Sequence, residues 1–294
     1  SSAISTLGGV NGCAWQVVAY SPTIVDNTSS GPSSGTANPA PAYSTVNVGV
    51  KANSSSTLPR TGSVSFGGQL IRFIQAASSH DPFYTFNDVA NDASGDLGLF
   101  NYVALTKYYK VSNGCSTPGG FCPNDPLTKE QIAAFIIRSL FHGLQPTPGC
   151  MGDSGYPYSG SNTCGFTWGT TAAYADYQNQ SNLFYPYVQK LKDLDLAVTC
   201  GAGYCASATV TRGMMAEFII RAMVYKKKFP AAFPYPQTPY FLDVPATHAA
   251  FSYIQKLREQ GITAGTSDTA YSPSADLPRY AMAIFLIRAF FTAP

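Results

Sequence analysis

A segment written three times constrains this chain more than any other feature. Residues 121–138, 204–221 and 271–288 align without a gap. An aromatic opens each segment (Phe121, Tyr204, Tyr271). A cation holds one shared position (Lys129, Arg212, Arg279), a phenylalanine holds another (Phe135, Phe218, Phe285), and an arginine closes each (Arg138, Arg221, Arg288). The upstream halves correspond too, through Tyr102, Tyr187 and Tyr253 and, before them, Asp88, Asp176 and Asp243. A unit repeated at this spacing cannot bury its own apolar face, so the three copies are expected to pack on one another.

Each copy reads as helix, loop, helix. Ile132, Ile136 and Leu140 recur every four residues, as do Met215, Ile219, Met223 and Met282, Leu286, Phe290. That spacing places them on one helix face. Thr128 with Gln131 predicts a capping box, Thr211 predicts a second cap, and Pro278 suits a first helical turn. The recurring Arg138, Arg221 and Arg288 are expected to pair with Asp88, Asp176 and Asp243 inside the fold.

Ahead of the repeats, residues 1–78 read as β structure. Val46–Val50 and Val64–Phe66 alternate, and Leu70–Ile74 is mostly apolar, with Gly- and Ser-rich turns between. The repeat region occupies 79–294, with copies near 83–145, 172–228 and 238–294 and an insertion at 146–171.

Charge limits the partners. Charged residues are 12% of the chain and the net charge is +2, which offers no electrostatic case for nucleic acid or anionic lipid. No stretch is long and apolar enough for a membrane span. Six of the seven cysteines fall into local pairs: Cys115–Cys122, Cys150–Cys164 and Cys200–Cys205. Short loops between paired cysteines predict disulfides in an oxidising compartment. Metal ligation is the alternative, weakened by the lack of Cys-x-x-Cys and the distant histidines. Cys13 is left over, as a buried thiol or a bond to another chain. No cofactor is expected.

Two motifs invite chemistry. Gly152-Asp-Ser-Gly155 looks like a serine-protease nucleophile segment, but the pattern around a catalytic histidine is absent. Asp88, Asp92 and Asp96 do not follow the ligand order of a calcium loop. The chain is therefore read as non-enzymatic.

The pattern Phe241-Leu-Asp243-Val244, then Tyr253 through Gly261-Ile-Thr-Ala-Gly265, then Tyr271-Ser-Pro and the Phe285-Leu-Ile-Arg288 helix, resembles the S-layer homology family. Copies one and two follow it, so the likeness spans roughly 83–294. It implies a mainly-α pseudo-threefold bundle that binds cell-wall polysaccharide in grooves between its prongs. It assigns Lys129, Arg212 and Arg279 to those grooves, where a cation pairs with anionic sugar substituents. The first copy has Lys in place of Arg, and the family's acidic position keeps only Glu130. The N-terminal region, through Cys13-Ala-Trp15, Arg60–Gln69 and Phe73-Ile-Gln75, resembles a BACON-type immunoglobulin-like sandwich. The segment ahead of Cys13 leaves little room for an opening strand, which predicts an edge that another chain fills.

Together these readings predict a multidomain, extracellular cell-surface protein. It is expected to be a subunit that assembles with copies of itself into a surface layer or fibre. The alternative is a wall-anchored carbohydrate-binding accessory protein.

Overall fold

A computed structural model describes the strands of the first 50 residues, residues 51–77 apart from 52, 54–56 and 67–68, and residues 82–90, 99–141, 168–169 and 171–292. Cys13, the Cys150–Cys164 pair, Asp92, Asp96 and the Gly152–Gly155 motif lie outside the described residues.

The N-terminal region is built of strands. β1 (Ser2–Ser5), β2 (Ala14–Ala19), β3 (Val25–Asp26), β4 (Ser34–Thr36), β5 (Thr45–Val50), β6 (Arg60–Phe66) and β7 (Gln69–Gln75) form two antiparallel sheets, ordered β1-β5-β3 and β4-β2-β6-β7. The predicted stretches 46–50, 64–66 and 70–74 fall in β5, β6 and β7. One expectation is corrected here. The short segment ahead of Cys13 does supply a strand, since Ser2 to Ser5 pair with Val48 to Thr45. A strand needs only about 3.3 Å of chain per residue, so four residues suffice.

Among the described residues six α-helices follow: α1 (Leu99–Tyr108), α2 (Lys129–Leu140), α3 (Tyr185–Asp193), α4 (Arg212–Tyr225), α5 (Phe251–Glu259) and α6 (Arg279–Phe290). Each copy supplies two. The first helix of a copy packs on the second helix of another copy: α1 on α6, α3 on α2, and α5 on α4. The second helices α2, α4 and α6 also meet one another at the centre. Ile132, Ile136, Leu140, Met215, Ile219, Met223, Met282 and Leu286 are buried in one shared core. Each such side chain contributes about 1.5–3 kcal/mol by leaving water. The copies are interlocked, not stacked in a row.

Helix starts follow the local chemistry. Thr128 accepts from the Gln131 amide and Gln131 reaches back to the Thr128 amide, a complete capping box. Thr211 accepts from the Met214 amide. Pro278 sits at the N-cap itself, one place earlier than a first-turn residue, and makes no side-chain cap.

The three copies close on an axis. The Leu127 amide donates to the Leu277 carbonyl (3.3 Å), Leu277 to Val210 (2.8 Å) and Val210 to Leu127 (2.8 Å). All three residues are fully buried. This is a closed ring of three backbone hydrogen bonds, one from each copy.

The recurring aspartates serve each copy internally. Asp88 accepts from the Phe121 and Cys122 amides, Asp176 from Tyr204 and Cys205, and Asp243 from Tyr271 and Ser272, all at 2.7–3.0 Å. The expected pairing with Arg138, Arg221 and Arg288 is therefore corrected. Two backbone N–H groups in a tight turn satisfy both oxygens of each carboxylate, and no arginine is needed.

Bonds from the Cys205 and Tyr204 amides hold the Asp176 carboxyl below its ordinary value of 3.8. A lowered folded-state value gives stability that is present above 3.8 and is lost as the pH falls through the folded value. The Asp176→Asn variant should therefore show a shallower loss of Tm between about pH 5 and pH 2 than the wild type. Asp88, also lowered, contributes to the slope that remains. Thermal melts across that range check it.

Candidate functional site

The three cations read from the repeat are brought to equivalent places, all buried. Lys129 is 1% exposed, Arg212 8% and Arg279 4%. Each lies on the opening aromatic of another copy: Lys129 over Tyr204 at 4.8 Å, Arg212 over Tyr271 at 4.7 Å and Arg279 over Phe121 at 5.0 Å. Arg212 Nε also donates to the Tyr271 carbonyl (2.8 Å), and Arg279 Nε to the Phe121 carbonyl (2.7 Å). Arg279 adds the Gly114 carbonyl at 2.8 Å and Ser112 Oγ at 3.4 Å. Tyr204 and Tyr271 return hydroxyl bonds to the Lys129 and Arg212 carbonyls, at 2.7 and 2.9 Å. Phe121 has no hydroxyl to return.

Lys129 differs from the two arginines. Its ammonium meets the ring but no hydrogen-bond acceptor. Burial lowers its pKa, and the nearby Asp176 and Glu217 carboxylates oppose that. An ammonium is a point donor on a flexible stem, whereas a guanidinium offers a planar fork that covers a ring and reaches a carbonyl together.

A second ring of contacts lies outside the first. Arg138 Nε donates to the Tyr187 hydroxyl (3.1 Å) and Arg288 Nε to the Tyr102 hydroxyl (3.0 Å). Arg221 bonds the Ala197 carbonyl at 3.0 Å and Glu217 at 2.6 Å, and lines one notch with Tyr253. Sequence reasoning placed Tyr102, Tyr187 and Tyr253 in register but missed them as neighbours of these arginines. The signal was available, because each tyrosine recurs at one position, as each arginine does.

The cysteines staple the turns. Cys115 and Cys122 stand at disulfide distance, as do Cys200 and Cys205, with Cα atoms 6.0 and 6.1 Å apart. Each pair lies beside the aspartate that caps its turn, so Asp88 with Cys115 and Cys122, and Asp176 with Cys200 and Cys205, cluster tightly. The carboxylate oxygens already accept backbone N–H groups there. Copy three carries Thr266 and Ser272 instead, with hydroxyls 2.8 Å apart. Cys122, Cys205 and Ser272 share a left-handed φ of 52–59°.

One cleft stands out beside the buried cations. It has a volume of about 480 Å³ and is lined by Ser116, Gln131, Phe135 and Arg138 of copy one, Leu183 and Phe184 of copy two, and Arg279 of copy three. Leu183 is 72% exposed at its rim. Aromatic faces and two guanidinium groups converge on one wettable slot and outnumber its one carboxylate, Asp125, which suits a polar, ring-shaped ligand with anionic substituents. Leu183 and Phe184 carry no repeat signature, and sequence reasoning did not find them.

The S-layer homology domain model matches residues 240–279. The match runs from Tyr240, beside the capping Asp243, to the buried Arg279. An S-layer homology domain is thus present in copy three, and such domains bind cell-wall polysaccharide. Its presence implies a cell-surface protein associated with the cell wall. No curated protein matches the chain. No helix among the described residues is long and apolar enough to cross a membrane.

Two variants test the cation ring. Arg279→Ala should lower the unfolding free energy by about 3 kcal/mol, through loss of charged hydrogen bonds and ring contact. Lys129→Arg should raise it by about 1 kcal/mol, because a guanidinium reaches the Tyr204 carbonyl. Urea titrations measure both. Thr266→Cys with Ser272→Cys should close a disulfide in copy three. A thiol titration of the double variant should then show no added free thiol.

Proposed function

We propose that the chain binds an anionic cell-wall polysaccharide in the cleft between copies one and two, and that all three copies are S-layer homology domains. The observation that carries this reading is the convergence of Arg138, Arg279, Phe135 and Phe184 on one slot. Guanidinium forks match carboxylate or phosphate substituents, and aromatic faces match sugar rings. The common backbone pattern of the three copies supports giving the first two the identity of the third. Lys129 and Arg212, at the positions of Arg279, would floor the equivalent grooves. Their burial makes them supports of the groove walls as well as candidate contacts.

The two antiparallel sheets of the N-terminal region support an immunoglobulin-like, BACON-type sandwich that acts as a non-catalytic spacer or carbohydrate-binding module. A second reading makes the chain a self-assembling subunit of a surface layer or fibre. The outer strands β1 and β3 of the three-stranded sheet favour it, because a sheet edge is a template for pairing with another chain. Ordered polymers in negative-stain micrographs of the purified protein would support assembly.

Co-sedimentation with purified cell-wall preparations tests the binding reading. Leu183→Glu puts a carboxylate at the exposed rim, where a surface change should cost at most about 0.5 kcal/mol of stability. The bound fraction should fall at least several-fold, by like-charge repulsion of about 1–2 kcal/mol, with an unchanged melting temperature. Retention of wild-type binding by this variant would count against the cleft, and failure of the wild type to sediment would sink the reading.

A further inference from the structure

The outer end of the junction between copies three and one is covered by the β6–β7 hairpin. Arg72, on β7, is 7% exposed. Its Nε donates to the Gln260 carbonyl (2.8 Å) and its Nη1 to the Thr292 carbonyl (3.0 Å). Thr61, on β6, donates its hydroxyl to the Phe291 carbonyl (2.8 Å). Ile74 packs against the buried Tyr102, Leu105 and Ile287. Phe291 and Thr292 follow the end of α6, where a helix leaves carbonyls without intrahelical partners. The hairpin supplies donors to two of them. Burial, with the neighbouring Arg288 adding to it, pushes the Arg72 guanidinium down to about 10.

The bundle offers this place three times, because its junctions are pseudo-equivalent. In each copy the first helix ends on a left-handed residue: Lys110 (φ 56°), Asp195 (φ 55°) and Gly261 (φ 64°). Copies one and two show that this backbone tolerates a side chain, so turn geometry alone does not require glycine in copy three. The neighbour requires it. A β-carbon at residue 261 would run into the carbonyl oxygen of Leu70 on β7. The corresponding place between copies two and three is an open notch of about 370 Å³, with Asp195 among its lining residues beside Leu196, Arg221, Tyr225 and Tyr253. Asp195 would bar the same close approach there, and Lys110 would bar it at the first junction.

We infer that the junction of copies three and one is a docking seat for the β6–β7 hairpin, selected from three pseudo-equivalent seats by Gly261 and fastened by Arg72. Through it the N-terminal sheet of β4, β2, β6 and β7 and the helical bundle move as one unit. This inference does not rest on wall binding.

Hydrogen exchange on the full chain tests it, with wild type, Gly261→Asp and Arg72→Ala compared. Gly261→Asp installs the residue that copy two accepts on the same backbone, so it strikes the contact with Leu70 and spares the turn. In both variants the amides of residues 70–74 and 289–292 should exchange about ten-fold faster or more, while those within α2 and α4 keep their wild-type rates. Asp195→Gly, at the unoccupied notch, should leave residues 70–74 and 289–292 unchanged. Wild-type exchange at 289–292 in both variants would overturn the seat. Uniform acceleration across the whole bundle would overturn it too, since the two residues would then be general supports of the fold. Should Gly261→Asp fail to fold, Arg72→Ala decides, because Arg72 lies outside the bundle.

Discussion

Three backbone hydrogen bonds, from Leu127 to Leu277 to Val210 and back to Leu127, hold the rest of this molecule in place. Each uses one donor and one acceptor in a fully buried setting, where a missing partner would cost about 1–3 kcal/mol. The ring admits one segment from each copy and no more. Around it the second helices meet, and around them each first helix packs on a helix of another copy. The cation–aromatic contacts run round the ring in the opposite sense, from Lys129 to Tyr204, Arg212 to Tyr271 and Arg279 to Phe121. A copy removed from this arrangement would lose the partner for its cation and for its closing arginine together. Open solenoids contrast with this, because their terminal units need polar caps. Closure removes the ends.

Interlocking also makes the grooves composite. The cleft lined by Phe135 and Phe184 takes its walls from two copies and its floor from the third. No single copy lines the whole cleft, so the binding proposed for it would depend on the closed bundle. Arg279 uses its donors on the Phe121 and Gly114 carbonyls and thereby fixes the floor on which a ligand would rest.

Much of this was legible in the sequence, and the reason is periodicity. Three copies in register placed the helices, the capping Thr128 and Thr211, and the equivalence of Lys129, Arg212 and Arg279. Two short cysteine loops pointed to staples that stand at disulfide distance. Partners across copies were not legible. Charge sign suggested that Arg138, Arg221 and Arg288 seek Asp88, Asp176 and Asp243. Backbone amides are invisible to charge counting, and they took the carboxylates first. Arg138 and Arg288 then met tyrosine hydroxyls on neighbouring copies, a choice set by cyclic packing, and all three arginines met carbonyls of their own copies. Leu183 and Phe184 escaped notice because a groove wall made by one copy for another carries no mark in its own repeat. Gly261 stood in the sequence only as part of the Gly261-Ile-Thr-Ala-Gly265 stretch, and the approach of Leu70 shows what a side chain there would meet.

The turn staples differ in kind among the copies. Copies one and two use sulfur, whereas copy three closes the same turn with the Thr266 and Ser272 hydroxyls. A hydroxyl pair needs no oxidant, whereas the two disulfides form only with an electron acceptor. Cys115 stands in the lining of the cleft. The wall that would touch a ligand is thereby tied to the redox history of the chain, and maturation of that surface can lag behind folding of the bundle that carries it.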